Sequence, residues 1–408
     1  MDIYIVGVGI TPLSKHWQLS VADLTRIAVA DALQDAGCDA AAIEGAWFAN
    51  TRQGIFEGQH GIRGQSALRP LGIANVPIFN TDNACASSSA AFSLACGYLA
   101  AGMISVALVV GAEKMNYADN RDGMFAAFLG SMDRVHGQDH LRAAIARCEG
   151  VDVAHLPEST GGQHGIFMEY YAATAREHMR LYGTTQRQIA AVSAKNHHHS
   201  TLNPNAHYRM AMSIDDVLGD KPIVWPLTRS MCAPMTDGAG ALVLCRGDVL
   251  DRFDRARAVR VLASQVTTGS DEVPTGAVPL AIRRAYDMAG VGPDDISLAE
   301  VHDASAFGEI TQTENLGFCE PGAGGHLAES GATTLGGAIP VNTSGGLESK
   351  GHPTAASGAI QLHELVTQLR GEAGARQVAG ARIALAENGG GFYAGEEAIA
   401  AVTILEKA

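Results

Sequence analysis

Cys85 stands in the run Asn83-Ala-Cys-Ala-Ser-Ser-Ser89, where a helix of small and apolar residues should begin. Unpaired backbone N–H groups and the helix dipole stabilise a thiolate there, which lowers the thiol pKa and makes it a better nucleophile. The same spacing also suits a buried structural cysteine, as Cys96 does further along the run. His352 ends the glycine-rich stretch Asn342-Thr-Ser-Gly-Gly-Leu-Glu-Ser-Lys-Gly-His352, and Pro353 after it fits the first turn of a second helix. A histidine held there can serve as general base for a thiol, or simply cap the helix. His302, in Val301-His-Asp-Ala-Ser-Ala-Phe307, follows a short strand. A strand end suits an active site, and a hydrogen bond to Asp303 would explain it equally well. The glycines Gly389, Gly390 and Gly391 either aim backbone N–H groups at an oxyanion or form a plain turn. His197, His198 and His199 suggest a metal site but have no partner ligand at useful spacing, so no metal is expected and a surface loop after a helix accounts for them.

The elements that must hold these residues alternate between strand and helix. Residues 3–10 read as a first strand, 21–36 as an amphipathic helix stopped by Gly37, 46–49 and 76–79 as short strands, 87–101 as a helix and 105–110 as a central strand. Such alternation implies a parallel or mixed sheet covered on both faces. Residues 116–229 differ in texture: they hold most of the histidines and two helices, at 165–181 and 185–196, and read as an insertion. The sheet pattern resumes at 239–245, and a second α/β set starts near Ala258. Each half places a reactive side chain at a small-residue helix start, then a strand ending in glycine and an acid: Cys85 with Gly111-Ala-Glu113, and His352 with Glu387-Asn-Gly389. Internal duplication is the expected origin.

Composition narrows the class. The 408 residues suffice for a large core, and 47% hydrophobic against 18% charged residues excludes disorder and coiled coil. A net charge of −14 repels phosphate backbones, so no nucleic-acid partner is expected. The seven cysteines, Cys38, Cys85, Cys96, Cys148, Cys232, Cys245 and Cys319, form no C-x-x-C pair, which points to a reducing compartment with neither disulfide framework nor zinc ribbon. The first residues lack the features of a signal peptide, so a cytoplasmic protein is expected. Residues 90–112 are long and uncharged, yet Gly97 and Gly102 interrupt them; a buried helix followed by a central strand fits better than a membrane span.

Together these motifs resemble the thiolase superfamily, specifically its non-specific lipid-transfer (SCP-x) branch. N-A-C-A-S-S-S matches the nucleophile loop, V-H-D-A-S-A-F the H-D-x-F motif, N-x-S-G-G-x-x-x-x-G-H-P the histidine loop, and N-G-G-G the terminal glycine motif, in order along nearly the whole chain. The resemblance implies an α/β duplicated thiolase fold: two βαβαβαββ halves in five αβαβα layers with an inserted loop domain, and a homodimer. The corresponding divisions are 1–115 with 230–257, 116–229, and 258–408. It also implies that Cys85 carries an acyl group, that His352 activates it, and that His302 with His352 binds a water or thioester oxygen. A second oxyanion hole would come from the backbone N–H groups of Cys85 and Gly389. No permanently bound cofactor is implied, with coenzyme A as substrate and product.

Departures from the family pattern matter as much. Its members carry a second cysteine in C-x-G-G-G or in H-D-C-F; here Glu387 and Ala304 take those places, and Ser305 replaces the phenylalanine. Glu387 is therefore the first choice, and His302 the second, for the acid/base step at the α-carbon. The expected activity is degradative cleavage of a β-ketoacyl-CoA by free CoA. The alternatives are a retro-aldol lyase or acyltransferase on the same scaffold, and an inactive acyl-CoA or lipid-binding relative. The pattern E-N-G-G-G-x-x-x-G-E-E further resembles thiolases that work with a small OB-fold/zinc-ribbon protein, so such a partner is expected.

Overall fold

The computed structural model describes residues 2–118, 120–146, 165–270 and 276–408; Cys148 lies outside them. The first half runs β1 (Ile3–Ile10), α1 (Val21–Ala36), β2 (Gly45–Ala49), α2 (Gln53–Glu57), α3 (Arg63–Leu68), β3 (Ile78–Thr81), α4 (Ser87–Ala100) and β4 (Val106–Glu113). Between β4 and the next long strand come α5 (Arg121–Phe128), α6 (Gly137–Ala146), α7 (Ile166–Tyr182), α8 (Gln186–Thr201), α9 (Ile214–Leu218), β5 (Pro222–Val224) and β6 (Leu227–Thr228). The chain then forms β7 (Gly238–Arg246), β8 (Val259–Thr267), α10 (Ala277–Ala289), β9 (Leu298–Glu300), α11 (Ala306–Asn315), α12 (Gly324–Glu329), α13 (Ser357–Arg370), β10 (Ile383–Tyr393) and β11 (Glu396–Lys407).

Local signals explain the boundaries. Ser20 and Asp23 form a capping box at the start of α1, and Gly37 closes it at φ 66°. The strand expected at 76–79 is displaced to Ile78–Thr81, because Pro77 has no N–H to give to a ladder. The three adjacent histidines are not on a surface loop. They lie within α8, where His197 and His199 are buried. Nδ1–H of His199 donates to Asn342 O (3.0 Å), and its Nε2 accepts from Leu335 N (2.9 Å). Both ring nitrogens serve the fold, and burial drives its pKa down to about 3.

The strand order is β3-β2-β4-β7-β1-β8-β11-β10-β9. Read outward from the β1/β8 junction, each half repeats one plan: its first strand, then its last, then the strand after the central helix, then the second. In the second half the counterpart of β3 is a single parallel bridge, Ala299 to Val341. Asn342 takes a φ of 55° there, turning the chain out of the sheet after one pairing. Among the described residues only two pairs, Tyr4–Arg260 and Ile5–Val259, join the halves edge to edge.

The main junction is α4 against α13, packed between the two sheets. Phe92, Ala95 and Leu99 of α4 share one core with Leu362, Leu365 and Leu369 of α13 and with inward residues of both sheets. Helix α1 covers the outer face of the first sheet and α10 that of the second, completing five layers. Among the described residues no helix is long and apolar enough to cross a membrane.

The α4–α13 contact is close at their N-terminal ends. A Cβ on Gly358 would lie 1.9 Å from Ser89 Oγ, and Ala359 N donates to Ser88 Oγ at 3.0 Å. Gly358→Ala is therefore expected to destabilise the fold by about 1–3 kcal/mol through overpacking. Urea unfolding should show a lower midpoint at unchanged m-value. A midpoint equal to that of the parent would show that the two helices are free to part.

Candidate active site

Cys85 sits in the turn that launches α4. Ala84 adopts a φ of 50°, and the Ser87 hydroxyl pins the turn by accepting from Asn83 N (2.8 Å) and donating to Ala84 O (2.6 Å). Strand β10 presses against this turn from the other half: a Cβ on Gly390 would fall 2.3 Å from Asn83 O. This close approach is what the middle glycine of the terminal motif provides.

Sγ of Cys85 and one ring nitrogen each of His302 and His352 lie within 4.8 Å of one another. Burial pushes the Cys85 thiol up, but the imidazoles of His352 and His302 outweigh it and hold the pKa down to about 5. Burial instead raises Cys96 and Cys232, Cys245 to about 12 and Cys319 to about 11. The thiol and two imidazoles could also ligate a soft divalent ion. Such an ion would occupy the thiolate needed for nucleophilic attack.

His352 follows a wide, π-helical turn at Gly346–Lys350. Ser357 Oγ, which donates weakly to Pro353 O (3.4 Å), lies 2.7 Å from His352 Nδ1. Ser357 thus engages Nδ1 and leaves Nε2 to face the thiol. The turn is anchored to the end of β9 and to the segment after it that bears His302. Lys350 Nζ donates to Glu300 at 2.8 Å, and Leu347 N donates to Asp303 at 2.6 Å. Asp303 also accepts from Asn196 Nδ2, so it orders the loop and leaves His302 to other partners.

His302 meets the expected oxyanion amide in an unexpected way. Gly389 N–H donates to His302 Nδ1 at 3.1 Å, so it is engaged with the ring in this state and does not form a free oxyanion donor with Cys85. Glu397 Oε1 lies 3.5 Å from the same nitrogen. Burial opposes a charge on His302, yet Cys85 and Glu397 raise its pKa well above the usual imidazole range. Nδ1 thus accepts from Gly389, while the Glu397 carboxylate beside the same nitrogen favours a positive charge on the ring.

Glu387 is fully buried on β10. One carboxylate oxygen accepts from His302 N (3.0 Å) and the other has no hydrogen-bond partner. Burial and the nearby Glu397 raise its pKa to about 8. Glu397 was missed as a site residue by sequence reasoning. It is the second residue of the return strand of the β10–β11 hairpin, opposite Phe392, and its carboxylate fills the space a side chain on Gly389 would take. The hairpin turn at Ala394-Gly395 was the available signal.

Three cavities meet here. One of about 50 Å³ contains Cys85 and His352 with Arg52, Phe128 and Tyr171. A cleft of about 430 Å³, lined by Lys15, Trp17 and Tyr208, shares Pro234 and Met235 with it. The largest, about 630 Å³, ends on His302 and Glu397, and Tyr171 borders both it and the Cys85 cavity.

Iodoacetamide should therefore alkylate Cys85 before Cys38, Cys96, Cys232, Cys245 or Cys319. Its rate should be flat near neutrality and fall by half at pH about 5. His352→Ala should move that midpoint up by about one to three pH units. An unmoved midpoint would remove His352 from the thiolate's environment.

Two family models match the chain: the thiolase N-terminal domain over residues 3–216 and a thiolase C-terminal domain-like unit over residues 259–407. An acetyl-CoA acetyltransferase of Methanothermobacter thermautotrophicus is 34% identical over 397 residues, 96% of each chain. Sterol carrier protein 2 of Oryctolagus cuniculus is 32% identical over 95% of this chain and 69% of its own length. Among solved structures, an Ltp2-ChsH2(DUF35) aldolase superposes with a TM-score of 0.77 at 22% identity, covering 99% of this chain and 97% of that one. The chain thus belongs to the thiolase family, in its sterol-carrier and non-specific lipid-transfer branch.

Proposed function

We propose that the protein is an acyltransferase that cleaves a β-ketoacyl-CoA with free CoA through an acyl-enzyme on Cys85. The observation that carries this reading is the convergence of Cys85, His302 and His352 within 4.8 Å, with the thiol held at a pKa of about 5. His352 Nε2 takes the thiol proton, and the thiolate adds to the β-carbonyl carbon. His302, whose Nδ1 accepts from Gly389, offers its Nε2–H to the oxygen where negative charge develops. The bond from the β-carbon to the α-carbon then breaks, leaving an acyl thioester on Cys85 and an enolate that gains a proton. CoA attacks the thioester and releases Cys85 as a thiolate.

CoA enters by the 430 Å³ cleft, which reaches the Cys85 cavity at Pro234 and Met235 and offers the cation of Lys15 at its wall. No permanently bound cofactor is part of this reading. Retro-aldol cleavage is the second reading, favoured by carboxyl groups, Glu387 and Glu397, where the family's second thiol would act. Its products differ, since it leaves a free carbonyl compound and consumes no CoA.

The protein works as a homodimer that joins a small OB-fold/zinc-ribbon partner. Support comes from the terminal E-N-G-G-G-x-x-x-G-E-E pattern and from the similar aldolase, whose name couples Ltp2 to ChsH2(DUF35). Product analysis after mixing protein, partner, a β-ketoacyl-CoA and CoA should give two acyl-CoA esters with one CoA consumed per cleavage. The chain without its partner should be at least about tenfold less active, by loss of the stabilisation that binding gives the native state. A carbonyl product formed without CoA would establish the lyase instead, and full activity of the chain alone would remove the partner.

A further inference from the structure

The 630 Å³ cavity is of the size that holds a substrate group, whereas the 50 Å³ space at Cys85 is far below that range. It lies between α7, the start of α10, α11 and the β10–β11 hairpin. Thr174, Thr311, Gln312 and Asn315 contribute neutral polar groups, and Phe307 and Phe392 apolar ones. No lysine or arginine lines it among the described residues. Its inner end is Glu397, beside His302.

Three observations distinguish Glu397 from the other acids of the site. First, it lines this cavity, whereas Glu387, buried below, lines neither this cavity nor the one at Cys85. Second, one of its oxygens lies 3.5 Å from His302 Nδ1 and the other, itself buried, has no hydrogen-bond partner. Third, its carboxylate occupies the space above Gly389, on the same face of β10 as Glu387, two residues away. It therefore stands between the position of the family's second thiol and the open cavity. Burial and the neighbouring Glu397 raise Glu387 to about 8, so a proton is held beside the reacting carbon.

Resting on the acyl-transfer reading, we infer that Glu397 is the catalytic acid/base that exchanges a proton with the substrate's α-carbon, and that the cavity before it takes an uncharged acyl group carrying hydroxyl or keto oxygens. When the bond between α- and β-carbons breaks, its electron pair goes to the α-carbon. The carboxylic acid of Glu397 gives its proton to that carbon and becomes a carboxylate. The carboxylate then takes the thiol proton of incoming CoA as the CoA sulfur displaces Cys85. One proton passes from CoA to carbon, and Glu397 ends each cycle protonated. Glu387 acts through its neighbours as a positioning residue, accepting from His302 N.

The test follows deuterium exchange at the α-carbon of acetyl-CoA and, separately, transfer of a radiolabelled acetyl group to Cys85. Glu397→Gln, with nearly unchanged shape, should slow exchange at least about a hundredfold. Acetylation should fall by less than about tenfold, because a CoA thiolate departs without needing a proton as badly as a carbanion does. Glu397→Asp should restore part of the exchange. Unchanged alkylation of Cys85 by iodoacetamide would show that the variant site is intact. Exchange within about threefold of the parent in Glu397→Gln, or exchange lost only in Glu387→Gln, would overturn the assignment. If the parent protein shows no label on Cys85, the acyl-transfer reading itself fails and the assignment falls with it. For the cavity, a neutral hydroxylated acyl-CoA should outcompete its carboxylated counterpart at least about tenfold in kcat/KM, and equal use of both would overturn that part.

Discussion

The close approach of two small-residue helix starts governs the rest of the molecule. Cys85 and His352 are 267 positions apart in the chain, and neither turn can reach the other unless α4 and α13 touch almost backbone to backbone. Gly358 and Ser89 permit that contact, as do Gly111 and Ala356, where a Cβ on the glycine would lie 2.7 Å from the facing Cα. Ser89 Oγ extends the contact to β10 by donating to Asn388 Oδ1 at 3.0 Å. Large side chains along the remaining turns fill the space between the two sheets, so hydrophobic burial is what drives the nucleophile and the base together.

Around this contact the protein keeps several charges out of water. Glu113, at the end of β4, accepts from Asn50, Thr51 and Arg52 of its own half and from Thr354 of the other, two residues past His352. Lys350 pairs with Glu300, and Lys195 with Glu309, each pair within the interior. Ion pairs so deep add little net stability, but breaking one leaves a buried charge and costs about 3–5 kcal/mol. Their effect is positional: the first ties the His352 loop to the end of β9, and the second ties α11, which follows the His302 loop, to α8. A low-dielectric site with fixed donors can then hold both a low thiol pKa and a raised carboxyl pKa, which water would level.

What was legible in the sequence was local. Capping residues, glycine stops and the small-residue helix starts identified α1, α4 and α13 and their functional ends, because such signals act within one turn. The repeated plan of two halves was legible for the same reason, although the strand opposite Ala299 shrank to one bridge where Asn342 turns away. Three features depended on contacts distant in sequence and could not be read. His197 and His199 looked exposed until α8 was seen packed under the loop from Asn342 to Ser349. The Gly389 amide faces a ring nitrogen because His302 arrives there from β9. Counting glycines fixed the register of Glu387 but not which acid fronts a cavity, since Glu397 reaches back across the hairpin over a residue without a side chain.

The central claim is that this geometry makes Cys85 the residue that bears the acyl group. Intact-protein mass spectrometry, after rapid mixing with an acyl-CoA and acid quench in the absence of free CoA, measures this directly. The account predicts one added acyl mass per chain, confined on peptide mapping to the peptide containing Cys85 and discharged when CoA is restored. An acyl group on any other residue, or no adduct in protein that still turns over substrate, would contradict it.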